Sequence, residues 1–432
     1  MTREISLDEI SVDDDSIKEK TLGMKIQIYI IAAISNSATF IARVFTGYYA
    51  VFINATTTAI SLITSLRNLI QQAFQSTFGR ISDKIGRKIM IFIGLLISGV
   101  SLSLFPIIGN GWVLIAGVAG FSIGFAAIDP AFTALQGDIT NRKNRAGFIG
   151  FVTIIGAAAT TISLIFVGFM GELGEDTYYE FLIIFEIVAG LFFIAAIISL
   201  FVKEPVTERI KKGIAFSLRP IKENPTFRKF VIINSIMSFF MSIGWPIFPL
   251  VRGNPIFASN LENTWVWASF CVFQVIILLA VKPFINKIKR KTLLLIGRIG
   301  MFYVPLNLAI TIYWVPHWWH IAIGGAVSGL CNALYWVGQN SYFLDCAPPK
   351  EKGTYTGIHN LFIGLSTFLG SLIMGIIADH ILIIDYWFTI WIILLIIAVG
   401  RFIASFGFLF ISEPKSTKCE ENEQEESESL VL

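Results

Sequence analysis

Twelve apolar runs, each long enough to cross a bilayer, follow one another between residues 26 and 411. Stretches such as Ile89–Ile108 and Trp387–Ala398 contain no Asp, Glu, Lys or Arg. A spanning helix needs about 20 mainly apolar residues at about 1.5 Å each. Lipid offers backbone N–H and C=O groups no partner, so such runs must close their hydrogen bonds internally as helices. The runs fall near 26–52, 55–78, 88–108, 112–138, 147–170, 178–202, 227–252, 264–285, 292–314, 318–345, 354–380 and 385–411. Only 15% of the 432 residues are charged and mean hydropathy is +0.71, against about 25% charged in soluble domains. The fold class is an all-α polytopic membrane protein.

The connections alternate in charge. One set carries Arg80, Lys84, Arg87 and Lys88, then Arg142, Lys143 and Arg145, then the basic stretch from Lys203 to Lys229. It continues with Lys287, Lys289, Arg290 and Lys291 and ends with Lys350 and Lys352. The other set, residues 53–54, 109–111, 171–177, 253–263, 315–317 and 381–384, contains no Lys or Arg. The positive-inside rule then expects both termini in the cytosol of a multi-pass protein in the cell membrane. An odd number of spans would break the alternation.

The longest polar interruption divides the chain. Residues 1–25 read as a disordered acidic leader, 26–202 as a six-helix bundle and 203–226 as a basic central loop. A second six-helix bundle covers 227–411, and 412–432 form an acidic disordered tail. The four cysteines, Cys271, Cys331, Cys346 and Cys419, lack paired spacing and read as free thiols. No metal, cofactor or nucleic-acid partner is expected. His317 and His320 flank Trp318 and Trp319, which suits an aromatic belt at the membrane surface better than a metal site.

The two halves resemble each other. Residues 79–88 match 282–291 at an offset of 203, pairing Asp83 with Asn286 and repeating Lys84, Ile85, Arg87 and Lys88; Gly94 likewise matches Gly297. At an offset of 207, Asp138 matches Asp345, Lys143 matches Lys350, Gly150 matches Gly357 and Gly168 matches Gly375. Parallel six-helix repeats are a common transporter plan, with the solute held between them near the midplane.

Gly79, Asp83, Lys84, Gly86, Arg87 and Lys88 fill the key positions of G-x-x-x-D-(R/K)-x-G-R-(R/K), which resembles the signature loop of the major facilitator superfamily. With twelve spans and a central loop, the resemblance covers about residues 26–411. It implies a transporter, monomeric by family default, whose signature loop latches the inner gate. By that resemblance Asp83 faces the N-terminus of the eleventh span, where a carboxylate meets the positive end of the helix dipole. Arg87 pairs with Asp138, and Arg290 with Asp345 in the second half. Asn286 and Lys289 stand where the pattern has Asp and Gly, so the second latch is expected to be looser.

Ionisable groups within the membrane are costly and are functional candidates by default. Arg252 and Arg298 lie near span ends, where long side chains can reach the surface. Glu186 is read as a helix-packing residue. Arg43, Arg67 and Asp129 lie deeper, Asp129 being followed by Pro130, a residue that kinks helices. Arg67 and Asp129 differ in depth by only about 5 Å, so an Arg67–Asp129 ion pair is expected, either as a static brace or as a proton-coupling switch.

The resemblance also makes the first, fourth, seventh and tenth spans the lining of a central cavity. They offer Asn36 and Thr39 beside Arg43; Ser122 with Phe125 and Asp129; Asn234, Ser238, Ser242 and Trp245; and Asn332, Trp336, Gln339 and Asn340 beside Tyr335. Interhelical hydrogen bonding is the alternative role for each. The aromatic groups suit efflux of amphipathic organic compounds, whereas Arg43, Arg67 and the amides suit uptake of a small polar or anionic solute. A membrane receptor or sensor of the same fold is the alternative to transport. An enzyme is not expected.

Overall fold

The structure, a computed structural model, describes residues 7–139, 145–174, 176–202, 218–254, 256–281, 283–284, 288–347, 352–382 and 385–413. Among these, regular structure is helical throughout. The first half contains α1 (Leu7–Phe52), α2 (Thr57–Ile85), α3 (Arg87–Ser103), α4 (Gly111–Asp138), α5 (Arg145–Gly171) and α6 (Thr177–Ser199). The second contains α7 (Pro225–Ser242), α8 (Asn260–Val281), α9 (Arg290–Ile299, resuming at Tyr303–Tyr313), α10 (Trp318–Asp345), α11 (Lys352–Ile381) and α12 (Tyr386–Ser405). Short polar residues start several of them by accepting hydrogen bonds from free first-turn amides. Asn110 caps α4 and Asn224 caps α7. Asp176 and Asp385 cap α6 and α12, which occupy the same place in each half.

Among the described residues, ten helical stretches are long and apolar enough to cross a membrane. The two expected spans outside that set are α2 and α7. Along α2, Ser61, Ser65, Arg67, Asn68, Gln71, Gln72 and Gln75 lower the hydropathy, and these residues are half-buried or buried, because α2 lies between α4 and α11. The seventh span is broken: α7 stops at Ser242, Gly244–Ile247 form turns around Pro246, and a short helix, Phe248–Arg252, completes the crossing.

The packing repeats itself. In the first half α1 packs on α5 and α6, α2 on α4, and α3 on α4 and α6; in the second, α7 packs on α11 and α12, α8 on α10, and α9 on α10 and α12. The halves meet through α2 against α11 and α5 against α8, pairs that exchange when one half is superposed on the other. The repeated glycines explain part of this. A Cβ on Gly94 would lie 2.6 Å from the Gly124 carbonyl oxygen of α4, and one on Gly297 would lie 2.7 Å from the Cys331 carbonyl oxygen of α10. Gly168 abuts Thr264 where α5 meets α8, and Gly375 abuts Ser61 where α11 meets α2. Each allows backbones to approach closely, the usual basis of helix association in lipid.

Helix α1 is continuous from Leu7 to Phe52. Residues 203–217 of the central loop and the tail from 414 lie outside the described residues.

Candidate functional site

Helices α2 and α11 run antiparallel across the boundary between the halves. At the non-basic end, the Thr57 and Thr58 amides donate to Asp379 Oδ1 and Oδ2 at 2.6 and 3.0 Å. Further along, Ser371 donates to the Ser61 carbonyl at 3.4 Å and Gly364 lies against Gln72. Asn360 Nδ2 then donates to Gln75 Oε1 at 3.0 Å. One register accounts for all of these. The second boundary is also joined at the non-basic end. Asn260 donates to Glu180 at 2.6 Å, and Trp267 Nε1 donates to the Tyr48 hydroxyl at 2.7 Å.

From Gln75 a buried polar line runs into both halves. Gln75 Nε2 donates to Asp129 Oδ2 on α4 at 2.8 Å. On the other side, Asn360 Oδ1 lies 3.2 Å from His359 Nδ1, and His359 Nε2 lies 3.0 Å from Asn234 Nδ2 on α7. Asn234 also donates to Gln339 Oε1 at 3.0 Å and accepts from the Tyr335 hydroxyl at 2.7 Å, while Tyr335 bonds Gln339 as well. The His359 ring stacks on Phe230, with centroids 5.5 Å apart. Asn234 and His359 are no more than 1% exposed. Of these residues, Asp129, Asn234 and Gln339 are expected from the sequence. Gln75, His359 and Asn360 escape sequence reasoning, although Gln75 continues the Arg67–Gln71 stripe at helical spacing and His359–Asn360 interrupt an apolar span.

The expected Arg67–Asp129 ion pair does not form. Asp129 is bonded by Gln75, and the cation whose charge reaches it is Arg43. Arg43 Nη2 donates to Gln71 Oε1 at 3.0 Å, and its Cζ lies 4.8 Å from the centre of the Phe125 ring. The depth match read from the sequence does not hold across the two helices. The axial offset between α2 and α4 sets Asp129 against Gln75, eight residues and so about 12 Å from Arg67 along the same stripe.

Three other charge readings also change. Arg252 and Arg298 do not reach the surface; each is 7% exposed. Arg298 stands 3.2 Å from the centre of the Tyr335 ring, and Arg252 stands 5.3 Å from that of Trp267, geometries in which the ring face attracts a cation. Glu186 lies on the exposed face of α6 and not in a helix contact. Arg401, the sole charge in α12, is a further buried cation that sequence reasoning passes over, and it is 1% exposed. It donates to the Phe240 and Met241 carbonyls at 3.4 and 2.6 Å and to Met301 at 3.3 Å. Those carbonyls lie where α7 and α9 break, so Arg401 satisfies acceptors that helix ends leave open.

Of the expected gate residues, Gly86 has φ 107°, a left-handed value that glycine adopts without strain, and it turns the chain from α2 into α3. Lys289, its counterpart, has φ −58°. Gly79 lies against Pro130, the residue after Asp129. Lys84 is exposed, Arg87 and Lys88 are half-buried, and neither Lys84 nor Arg87 is without an interaction. The side chains of Asp83 and Asp138 lie outside those described. In the second half Arg290 Nε lies 3.5 Å from Asp345 Oδ2, a partly exposed pair. The Arg290 and Lys291 amides also donate to Glu413 at 2.6 and 3.2 Å.

The remaining cavity candidates divide into two groups. Ser122 bonds back to the Val118 carbonyl of its own helix at 2.6 Å, and Ser238 is buried. Asn332 bonds Ser328 at 3.3 Å. By contrast, Asn36, Trp336 and Asn340 are exposed, and Trp245 is half-buried beside the α7 break. Thr39 is buried with its hydroxyl unpaired.

This fold and its repeat agree with known proteins. The chain is 22% identical over 321 residues to a "Multidrug resistance protein MdtH" of Proteus mirabilis, covering 71% of this chain and 74% of the relative. It is 23% identical over 327 residues to the "Quinolone resistance protein NorA" of Staphylococcus aureus, covering 74% and 81%. Among solved structures, a point mutant of the nucleoside transporter NupG superposes with a TM-score of 0.72 at 15% identity, covering 90% of this chain and 100% of that one. The sequence profile of the Major Facilitator Superfamily matches residues 28–251 and again 230–431, which follows the two packing repeats, and the chain belongs to that superfamily of multi-pass membrane transporters.

Proposed function

We propose that the protein is a secondary transporter that carries a small solute across the membrane by alternating access. The solute is held between the halves on α1, α4, α7 and α10. The observation that carries this reading is the single antiparallel register of α2 and α11, closed at the non-basic end by Asp379 on the α2 amides. The same register, continued to the basic end, brings position 83 opposite the first turn of α11, which starts at Lys352. Each helix then meets a carboxylate of the other half at its N-terminus, a favourable electrostatic contact, and rocking the halves trades one contact for the other. In this reading Gly79, Asp83, Lys84, Gly86, Arg87 and Lys88 latch the basic end with Asp138, while Arg290 and Asp345 form the looser second latch.

Proton coupling belongs to the same reading, with Asp129 as the proton-carrying group. Its bond to Gln75 lies on the line that crosses between the halves, so protonation changes an inter-half contact. The protein works as a monomer in the cell membrane with both termini cytosolic. Solute-dependent flux in proteoliposomes tests this, and flux that responds to an imposed pH gradient in the wild type but not in Asp129→Asn is the expected result. A reconstituted protein that moves no solute would instead be a receptor or sensor. Efflux of an amphipathic compound is the second reading, favoured by the names of the multidrug and quinolone resistance relatives.

A further inference from the structure

Eleven buried side-chain atoms among the described residues have no hydrogen-bond partner, and six of them lie on α1 and α2. Four of the six form one group: Thr39 Oγ1 and Arg43 Nε, four residues apart on α1, and Arg67 Nε and Gln71 Nε2, four residues apart on α2. Residues at that spacing share a helix face. The two faces are joined, since Arg43 Nη2 donates to Gln71 Oε1 at 3.0 Å. All four atoms can donate, and a buried donor left unpaired costs about 1–3 kcal/mol. The charge is also unbalanced. Arg43 and Arg67 lie within range of each other's charge, and the carboxylate that reaches Arg43 is Asp129, whose Oδ2 is already held by Gln75. Two cations and one anion leave one positive charge uncompensated. Water satisfies donors but not the charge. Phe125 closes the group with an aromatic ring over Arg43.

We infer that Thr39, Arg43, Arg67 and Gln71 form a binding site for the acidic group of an organic anion, a carboxylate or a phosphate ester. This deepens the transport reading and rests on it for the fate of the ligand. Guanidinium groups suit this role because their fork of donors matches both oxyanions. The anion's organic body lies toward Phe125, so the site takes an amphipathic acid in preference to an inorganic ion.

Thermal unfolding of the full chain in detergent tests the site with benzoate, phenyl phosphate, benzamide, benzylamine and chloride as separate additives. Benzoate or phenyl phosphate is expected to raise Tm with concentration, while benzamide, benzylamine and chloride are not. Arg67→Gln is expected to weaken apparent anion affinity by about tenfold or more, as for the loss of one partner of a buried charge pair. Arg67→Lys, which keeps the charge, should retain the preference for the acid and shows that loss in Arg67→Gln is not misfolding. The inference is overturned if benzamide matches benzoate, if chloride alone reproduces the shift, if no additive acts, or if Arg67→Gln keeps the wild-type preference. Proteoliposome flux separates this from the transport reading. Anion-selective binding without flux keeps the site and removes transport, whereas flux without anion selectivity keeps transport and removes the site.

Discussion

Asp129 in the first half and His359 in the second lie on one buried line, linked through the side chains of Gln75 and Asn360. The link passes through the α2–α11 boundary, so it exists only while the halves hold this relative position. A titratable group in each half thereby contacts the same pair of amides.

Replacing Asn360 with Leu leaves Gln75 Oε1 buried without its donor, which should cost about 1–3 kcal/mol. Gln75→Leu should cost more, because it also removes the donor to Asp129 Oδ2. The double variant should lose less than the sum, because neither unpaired amide then remains. A double-mutant cycle on thermal unfolding measures this, and strict additivity would show that the bond is not energetically coupled.

Asp379→Ala removes the carboxylate that accepts from both Thr57 and Thr58 amides. Contacts of this kind at a helix N-terminus contribute up to about 2 kcal/mol when partly buried. The non-basic end should open more often, raising the rate at which a cysteine placed at Ser61 is labelled from that side. An unchanged rate would show that the other contacts at this end keep it closed without Asp379.

Arg401 answers three carbonyls at once, so Arg401→Met should destabilise the second half by about 2–4 kcal/mol. Lysine should rescue poorly, since a single ammonium cannot span carbonyls on α7 and in the α9 turn as a planar fork does. Thermal melts of both variants test this. Full rescue by lysine would reduce the role to charge alone.

Cys346 lies just past the end of α10, where burial pushes its thiol up to about 12 and the neighbouring Asp345 charge adds to the shift. The thiolate is the reactive form, so maleimide labelling near pH 7 should be slow and should accelerate only under strongly alkaline conditions. Asp345→Asn removes a negative neighbour, lowers the thiol's pKa and should speed labelling. Rapid labelling of the wild type at neutral pH would contradict this.

Much of the architecture was legible in the sequence. Span count, expected orientation and the internal repeat rest on composition and charge order, and both follow from what a bilayer excludes. Gly94, Gly297, Gly168 and Gly375 match across the halves as letters and occupy equivalent close contacts in space. The candidate site was half legible. Rise per residue converts position along a helix into approximate depth, which is how Arg43, Arg67 and Asp129 are read as lying away from the span ends. The axial offset and the rotation of one helix against another have no such readout in a single chain of letters. Offset and rotation together set Asp129 against Gln75, two turns from Arg67, brought His359 to Asn234 and drew Arg401 to the broken end of α7. Partner choice among buried polar groups depends on a few ångströms of lateral packing, and only the tertiary structure decides it.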